Sequence, residues 1–178
     1  ITSQHGLFYD YLINTFSADF AKGYLNANEE AINNIKNIID NENINCDFEK
    51  QDNFVFTTLE DEVIKIKHEV LAVNSLGFNA EFVDNAPLPI PIKAAIKFPN
   101  QAQFHARKYV LKLFDIVSKN GVKIYENSKV TEIKHNSDNY TINTDSATVT
   151  AKYVVMATHY SIKNFPGFYF LKMYQSKS

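Results

Sequence analysis

Few side chains in this 178-residue sequence are of types that do chemistry on their own. No two histidines have metal-ligand spacing, so the sequence predicts no metal site. His68 in a charged helix, His105 at a helix start and His135 in a turn are interpreted as structural. Cys46, the single cysteine, is interpreted as a small buried hydrophobe. Arg107, the only arginine, could bind a carboxylate, but its place at a helix start favours a surface role. The catalytic residues are therefore not identified.

A polar turn at the beginning of the chain leads into predicted helices. Thr2–Gly6 precedes a segment whose apolar residues fall at three- and four-residue spacing, which predicts a helix over Leu7–Phe16. Ser17 can cap a second helix, which the polar cluster Asp40–Asn43 ends. The apolar face of this second helix is predicted to contain Phe20, Tyr24, Ala27, Ala31, Ile35 and Ile38.

Later segments predict a mixed α/β (α+β) fold. Thr58 and Asp61 suit the start of a helix over Glu60–Ser75 that Gly77 ends, and another helix spans Ala106–Ser118. Strands are predicted at Phe48, Asn53–Thr58, Ala80–Asp84, Ala94–Phe98, Ala102–Phe104, Val122–Tyr125 and Phe168–Tyr174. An antiparallel meander is predicted over Lys129–Lys134, Tyr140–Thr144 and Ala147–Ala151, followed by a buried parallel strand at Tyr153–Thr158.

Composition excludes several classes of protein. With 18 Lys+Arg against 20 Asp+Glu, the formal charge of −2 does not favour nucleic-acid binding. One cysteine excludes an internal disulfide framework and a multi-cysteine zinc site, which indicates a reducing, cytoplasmic location. Apolar runs are far shorter than the roughly 20 residues of a membrane-spanning helix. We therefore expect a protein without a membrane span.

Four stretches, in order, resemble the FAD-dependent oxidoreductases of the D-amino-acid oxidase, glycine oxidase and sarcosine oxidase group. Residues 2–6 (TSQHG) are similar to that family's Ser-x-x-Asn-Gly-Gly-like turn. Residues 46–58 resemble its entry into the substrate domain. Residues 104–133 resemble its helix followed by Gly-Val-x-Ile and Thr-x-Val-x-x-Ile, and residues 151–159 resemble Ala-x-x-Val-Val-x-Ala-Thr-Gly. The family's Gly-x-Gly-x-x-Gly turn is not in this sequence.

The resemblance implies part of an FAD-binding Rossmann-like domain, residues 1–44 and 103–160, plus part of an antiparallel-sheet substrate domain, residues 45–102 and 161–178. Bound FAD would accept hydride from a small-molecule amine or amino acid. His159 stands where the family has glycine. The residues that the resemblance implies at the cofactor are Ser3, Gln4, His5, Gly6, Val130, Ala157, Thr158 and His159.

Alternatives remain open at this stage. The turn Ser3–Gly6 is either a flavin contact or a plain helix N-cap. The chain is either the central fragment of a bacterial amine or amino-acid oxidoreductase, a flavoprotein like glycerol-3-phosphate dehydrogenase, or a non-catalytic α+β binding module. If it is a fragment, we expect it neither to retain FAD nor to turn over substrate by itself.

Overall fold

The computed structural model describes residues 1–158. These residues form a mixed α/β structure, which confirms the predicted fold class. The chain divides into two compact units, residues 1–121 and a second unit that begins at Val122. The described helices are α1 (Tyr9–Thr15), α2 (Ala18–Asn41), α3 (Val63–Ser75) and α4 (Ala106–Lys119). The described strands are β1 (Glu49–Thr57), β2 (Glu81–Val83), β3 (Ala94–Gln103), β4 (Val130–His135), β5 (Tyr140–Thr144) and β6 (Thr148–Ala151).

The first unit contains a three-stranded antiparallel sheet in the order β1-β3-β2. The segments at Ala94–Phe98 and Ala102–Phe104, predicted as separate strands, belong to one strand, β3, which ends at Gln103. A bulge interrupts its pairing with β1, and Asn100 there has a left-handed backbone with φ 58°. The Asn100 N–H donates to Asp52 Oδ1 at 3.2 Å, which holds the bulge across both strands.

The core of the first unit lies between this sheet and the first three helices. α3 packs against β3 and β2, while α1 contacts both α2 and α3. Because β3 is the central strand, its apolar side chains at Ala94, Ile96 and Phe98 are completely buried. The other buried members of this cluster include Tyr9, Leu12, Ala21, Leu25, Ile66, Val73 and Leu76.

The second helix begins where the sequence predicts, but its buried face is different. Ser17 Oγ accepts a hydrogen bond from the Phe20 N–H at 3.1 Å, which confirms the predicted cap. The predicted apolar face is only partly confirmed: Tyr24 and Ile35 pack against the apolar clusters, whereas Phe20 is 52% exposed and stacks on Phe16 instead. The helix carries apolar residues on more than one face, and its packing against other elements selects which is covered. The buried residues are Ala21, Leu25, Ile32 and Ile39.

The beginning of α3 also differs from the prediction. Glu60–Glu62 forms a 3₁₀ turn before the α-helix starts at Val63, and no side chain caps that turn. The predicted cap by Thr58 is therefore wrong: Thr57 Oγ1 accepts the Leu59 N–H at 3.1 Å. Gly77 ends the helix with φ 92°, in the left-handed conformation expected of it.

A smaller apolar cluster surrounds Cys46 and the fourth helix. Cys46 is 1% exposed and packs with Ile39 and Ile44, which confirms that it is a buried hydrophobe. Burial raises the pKa of its thiol. His105 caps α4, as predicted, through Nδ1 and the Lys108 N–H at 3.4 Å.

The second unit contains the predicted antiparallel meander, in the order β4-β5-β6. Val122–Tyr125, predicted as a strand, is irregular, and so is Tyr153–Thr158, in which Val155 is 88% exposed. Both predictions are wrong for the described structure. A parallel strand is stable only when it pairs with neighbours, and no described strand pairs with either segment.

The predicted strand Phe168–Tyr174 lies outside the described residues. Among residues 1–158, no helix is both long and apolar enough to cross a bilayer.

Candidate functional site

The polar turn before α1 is held against strand β3 by buried side chains. Ser3 is completely buried and its N–H donates to Gln101 Oε1 at 2.6 Å. The Ser3 hydroxyl donates to Glu29 of α2 at 2.5 Å. Gln101 Nε2 donates a hydrogen bond to the same Glu29 oxygen at 3.0 Å. The turn is thus bonded to a strand and a helix far from it in sequence, which a plain N-cap would not require.

Gln4 carries a buried donor that has no partner. Its side chain is 3% exposed, and its Oε1 accepts a hydrogen bond from Asn53 Nδ2 at 2.7 Å. This contact directs the amide nitrogen away from Asn53. Within the described part of the chain, Gln4 Nε2 is the buried side-chain nitrogen that lacks a hydrogen-bond partner. A buried donor without an acceptor is costly, so this nitrogen marks a place where an acceptor is missing.

The next two residues reach the surface. The His5 side chain is exposed, and its Nδ1 lies 2.7 Å from the Tyr24 hydroxyl, which fixes the imidazole edge-on to that ring. Gly6 has φ 99°, a conformation that residues with a Cβ rarely adopt. A Cβ at Gly6 would meet only the Phe8 ring, at 3.5 Å. The glycine is therefore required by the backbone conformation rather than by lack of space.

A buried carboxylate holds the helix that follows the turn. Glu69 of α3 is 1% exposed, and its two oxygens accept the backbone N–H groups of Tyr9 at 2.8 Å and Asp10 at 2.9 Å. The Tyr9 hydroxyl in turn donates to the Ser3 carbonyl. Tyr9 therefore connects α3 to the turn, because its backbone N–H bonds to Glu69 and its hydroxyl bonds to Ser3.

Burial dominates the electrostatics of this region. Loss of hydration raises the pKa of Glu69, and the backbone N–H bonds to Asp10 and Tyr9 oppose the shift without cancelling it. Burial likewise raises the pKa of Tyr9, with smaller contributions from Tyr24 and Glu29. The Tyr9 hydroxyl therefore remains protonated and keeps its donor role at neutral pH.

The structure gathers half of the sequence-predicted site residues. Ser3, Gln4, His5 and Gly6 form one turn in the first unit. Val130 is the first residue of β4 in the second unit, beside a bulge in its pairing with β5. The remaining members are Ala157 and Thr158, in the irregular segment of the second unit, and His159, outside the described residues.

Sequence patterns missed the side chains that support the turn. Glu29, Glu69 and Gln101 are far apart in sequence and come together only in the fold. One of them has a visible signal: Glu69 lies three residues after Ile66 and four before Val73, on the apolar face of α3. A carboxylate at such a position must find donors inside the protein.

A surface cavity of the first unit lies away from the polar turn. This cavity, of about 580 Å³, is open and contains none of the predicted site residues. Its lining residues are Asn43, Asn45, Lys108, Leu111, Lys112, Phe114 and Asp115. Among the described residues, no group of three or more His, Cys, Asp or Glu side chains could hold a metal ion.

Three solved structures share this fold. Glycine oxidase from Geobacillus kaustophilus superposes with a TM-score of 0.67 at 18% identity, over 88% of this chain and 44% of that one. NikD, an amino acid oxidase essential for nikkomycin biosynthesis, gives 0.62 at 16% identity, over 76% of this chain and 37% of that one. L-Proline dehydrogenase from P. horikoshii superposes with a TM-score of 0.57 at 13% identity, over 70% of this chain and 35% of that one. The fold is that of oxidases and dehydrogenases of amino acids.

Sequence comparison gives the family. The model of the FAD-dependent oxidoreductase (DAO) family matches residues 4–178, and the chain belongs to that family. It is also 30% identical over all 178 residues to the "Putative Rieske 2Fe-2S iron-sulfur protein YhfW" of Bacillus subtilis (strain 168). The chain spans 35% of that relative's length and less than half of each solved structure. The resemblance seen in the sequence motifs is therefore confirmed.

The residues of the turn fit an FAD group. FAD presents hydrogen-bond acceptors along its diphosphate and on its flavin ring, and Gln4 Nε2 is a buried donor that needs an acceptor. Ser3, in contrast, is bonded to Glu29 and Gln101, so its hydroxyl supports the turn from behind. His5 and the Gly6 backbone are the parts of the turn nearest to solvent.

The raised pKa of Glu69 predicts a pH dependence of stability. The folded chain binds this proton more tightly than the unfolded chain, so Glu69 makes stability fall as pH rises from the ordinary glutamate pKa through the raised value. Glu69→Gln cannot titrate. We expect the free energy of unfolding of the wild type, minus that of Glu69→Gln, to decrease as pH rises through this window.

Urea denaturation at a series of pH values measures this difference. Glu62→Gln is the matched control, because Glu62 is paired with Lys65 on the exposed side of the same region. Its substitution tests whether loss of any carboxylate from this region changes the pH dependence in the same way. A difference for Glu69→Gln that grows with pH would contradict the assignment.

Proposed function

We propose that this chain is part of a longer FAD-dependent enzyme that oxidises an amine or amino acid. Bound FAD supplies the oxidising power by accepting hydride from the carbon that carries the nitrogen. The substrate class is supported by the three structural neighbours, whose names specify glycine, an amino acid and L-proline. The cofactor contact is supported by one observation above all, the unpartnered buried donor Gln4 Nε2.

In this proposal the turn binds and orients the cofactor. Gln4 Nε2 donates to an acceptor of the FAD, and the Gly6 backbone comes close to it, while Ser3 keeps the turn in place from the interior. His5, fixed by Tyr24, lies on the solvent side of the turn. As the resemblance implies, Val130 contributes backbone groups to the adenine, and Ala157, Thr158 and His159 also contact the cofactor. Removed from the longer protein, the chain neither retains FAD nor turns over substrate.

The relative in Bacillus subtilis supports a second cofactor in the longer protein. Its name specifies a Rieske 2Fe-2S protein, and a Rieske cluster takes two cysteine and two histidine ligands. This chain has one cysteine, Cys46, which is buried. We propose that the longer protein carries such a cluster and that all of its cysteine ligands lie outside these 178 residues.

The first expected result concerns the reaction. The full-length gene product, purified without added cofactor, shows visible flavin absorbance, and anaerobic addition of glycine, L-proline or another amine bleaches it. Glycerol 3-phosphate leaves the bands unchanged. Bleaching by glycerol 3-phosphate alone would instead select the other flavoprotein class, and a protein without flavin bands would reject FAD.

The second expected result concerns the binding of FAD by Gln4. Replacing the amide with an apolar side chain of similar size, Gln4→Leu, removes the donor, so the Kd for FAD of the full-length protein rises ~10-fold, as expected for one hydrogen bond to the cofactor. Titration of the apoprotein with FAD measures it. Gln103→Leu is the control, because Gln103 is an exposed glutamine on β3.

Since Gln4→Leu also leaves Asn53 without its acceptor, thermal unfolding of the apoprotein is recorded alongside. A Kd unchanged by Gln4→Leu would refute the contact.

The third concerns the cluster. The full-length protein contains non-haem iron and acid-labile sulfide, and Cys46→Ser leaves both contents unchanged because the buried thiol is not a ligand. Metal analysis and sulfide determination of the two proteins check this. A flavin-containing protein without iron, or iron lost with Cys46→Ser, would contradict the proposal.

A further inference from the structure

The first turn of α1 has no cap of its own. The residue before the helix, Phe8, makes no side-chain hydrogen bond to the helix N-terminus. The first backbone N–H groups of any helix have no partner within that helix, so they must bond elsewhere or face water. Here they lie directly after the turn that contains Gln4 and Gly6, and Tyr9 at the helix start is completely buried. Water is therefore not available to Tyr9.

Glu69 takes the role of the missing cap from a distance of 60 residues. One carboxylate oxygen accepts the Tyr9 N–H at 2.8 Å and the other accepts the Asp10 N–H at 2.9 Å. Both bonds are charge-assisted when Glu69 is ionised, and their two directions fix the helix end in orientation as well as position. Glu69 itself lies on the apolar face of α3, three residues after Ile66, which is buried in the core.

The position of the helix end is transmitted to the turn through Tyr9. Its ring stacks on Phe98 of β3, with centroids 6.0 Å apart and an interplanar angle of 23°. Its hydroxyl donates to the Ser3 carbonyl, so the Tyr9 side chain is bonded directly to the turn that precedes the helix. If the Tyr9 backbone shifts, the ring and hydroxyl must shift with it, and the carbonyl of Ser3 loses its donor.

We infer that Glu69 is a positioning residue for the cofactor: its carboxylate fixes the start of α1 and, through Tyr9, the conformation of the Ser3–Gly6 turn. The inference rests on the proposed function, in which that turn contacts FAD. Glu69 would thereby link the two predicted domains. It lies in residues 45–102, which the sequence assigns to the substrate domain, and the turn lies in residues 1–44, which the sequence assigns to the FAD-binding domain.

Two variants of Glu69 separate its hydrogen bonds from its volume. Glu69→Gln keeps one carbonyl acceptor, so one of the two backbone bonds can remain, whereas Glu69→Leu removes both and fills similar space. In the full-length protein, amide hydrogen exchange of Tyr9 and Asp10 is expected to quicken ~10-fold in Glu69→Gln and further in Glu69→Leu, as one and then two charge-assisted bonds are lost. Mass spectrometry of the peptide that contains α1 measures it.

Flavin binding is measured on the same proteins. The Kd for FAD rises in the same order, by ~10-fold for Glu69→Gln, and the visible circular dichroism of the bound flavin changes shape. The control is Val73→Ala, which removes a fully buried side chain from the same helix without touching the α1 bonds. It lowers the melting temperature but leaves the exchange of Tyr9 and Asp10 relative to the rest of the chain, and the flavin spectrum, unchanged.

Faster exchange together with weaker, spectrally altered FAD binding supports the inference. Faster exchange with unchanged FAD binding overturns the positioning role but leaves the proposed function standing. Unchanged exchange overturns the inference at its first step, and equal spectral changes in Val73→Ala do so as well, because they would reveal a merely structural effect. A full-length protein without flavin overturns the proposed function and the inference with it, even if exchange responds as expected.

Discussion

The burial of Glu69 on the apolar face of α3 is the constraint on which the candidate site depends. A carboxylate inside a protein must find donors, and the donors available are the uncapped N–H groups of α1. That requirement places α1 across α3 and brings Tyr9 onto Phe98 of the central strand. The turn that precedes α1 is thereby pressed against β3, where Gln101 and Glu29 complete its hydrogen bonds. One buried carboxyl group thus joins α3 to the start of α1 and, through Tyr9, to the turn.

The site that results is saturated with hydrogen bonds on its inner side. Ser3 has Gln101 and Glu29, Tyr9 has Ser3 and Glu69, and each bond satisfies a group that burial would otherwise leave unpaired. Against this background the unpartnered Gln4 Nε2 is informative. In the proposed function, FAD supplies that donor with an acceptor.

Local signals in the sequence predicted most elements. The Ser17 and His105 caps, the Gly77 stop and the three-stranded meander depend on contacts within a few residues, so the pattern contains the information. Predictions that depended on distant partners did worse. Phe20, on the predicted apolar face of α2, is exposed, and the strands at Val122–Tyr125 and Tyr153–Thr158 did not form in the described structure, since their stability requires neighbours that periodicity cannot supply.

The sequence by itself determined the family, the mixed α/β class and the location of the polar turn, because four short motifs in a fixed order survive independently of how the chain packs. It also limited what the chain can ligate, since one cysteine is a count rather than a geometry. Only the tertiary structure decided which side chains support the turn. Glu29, Glu69 and Gln101 are separated by tens of residues, and their hydrogen bonds exist because burial in one core forces distant polar groups to satisfy each other.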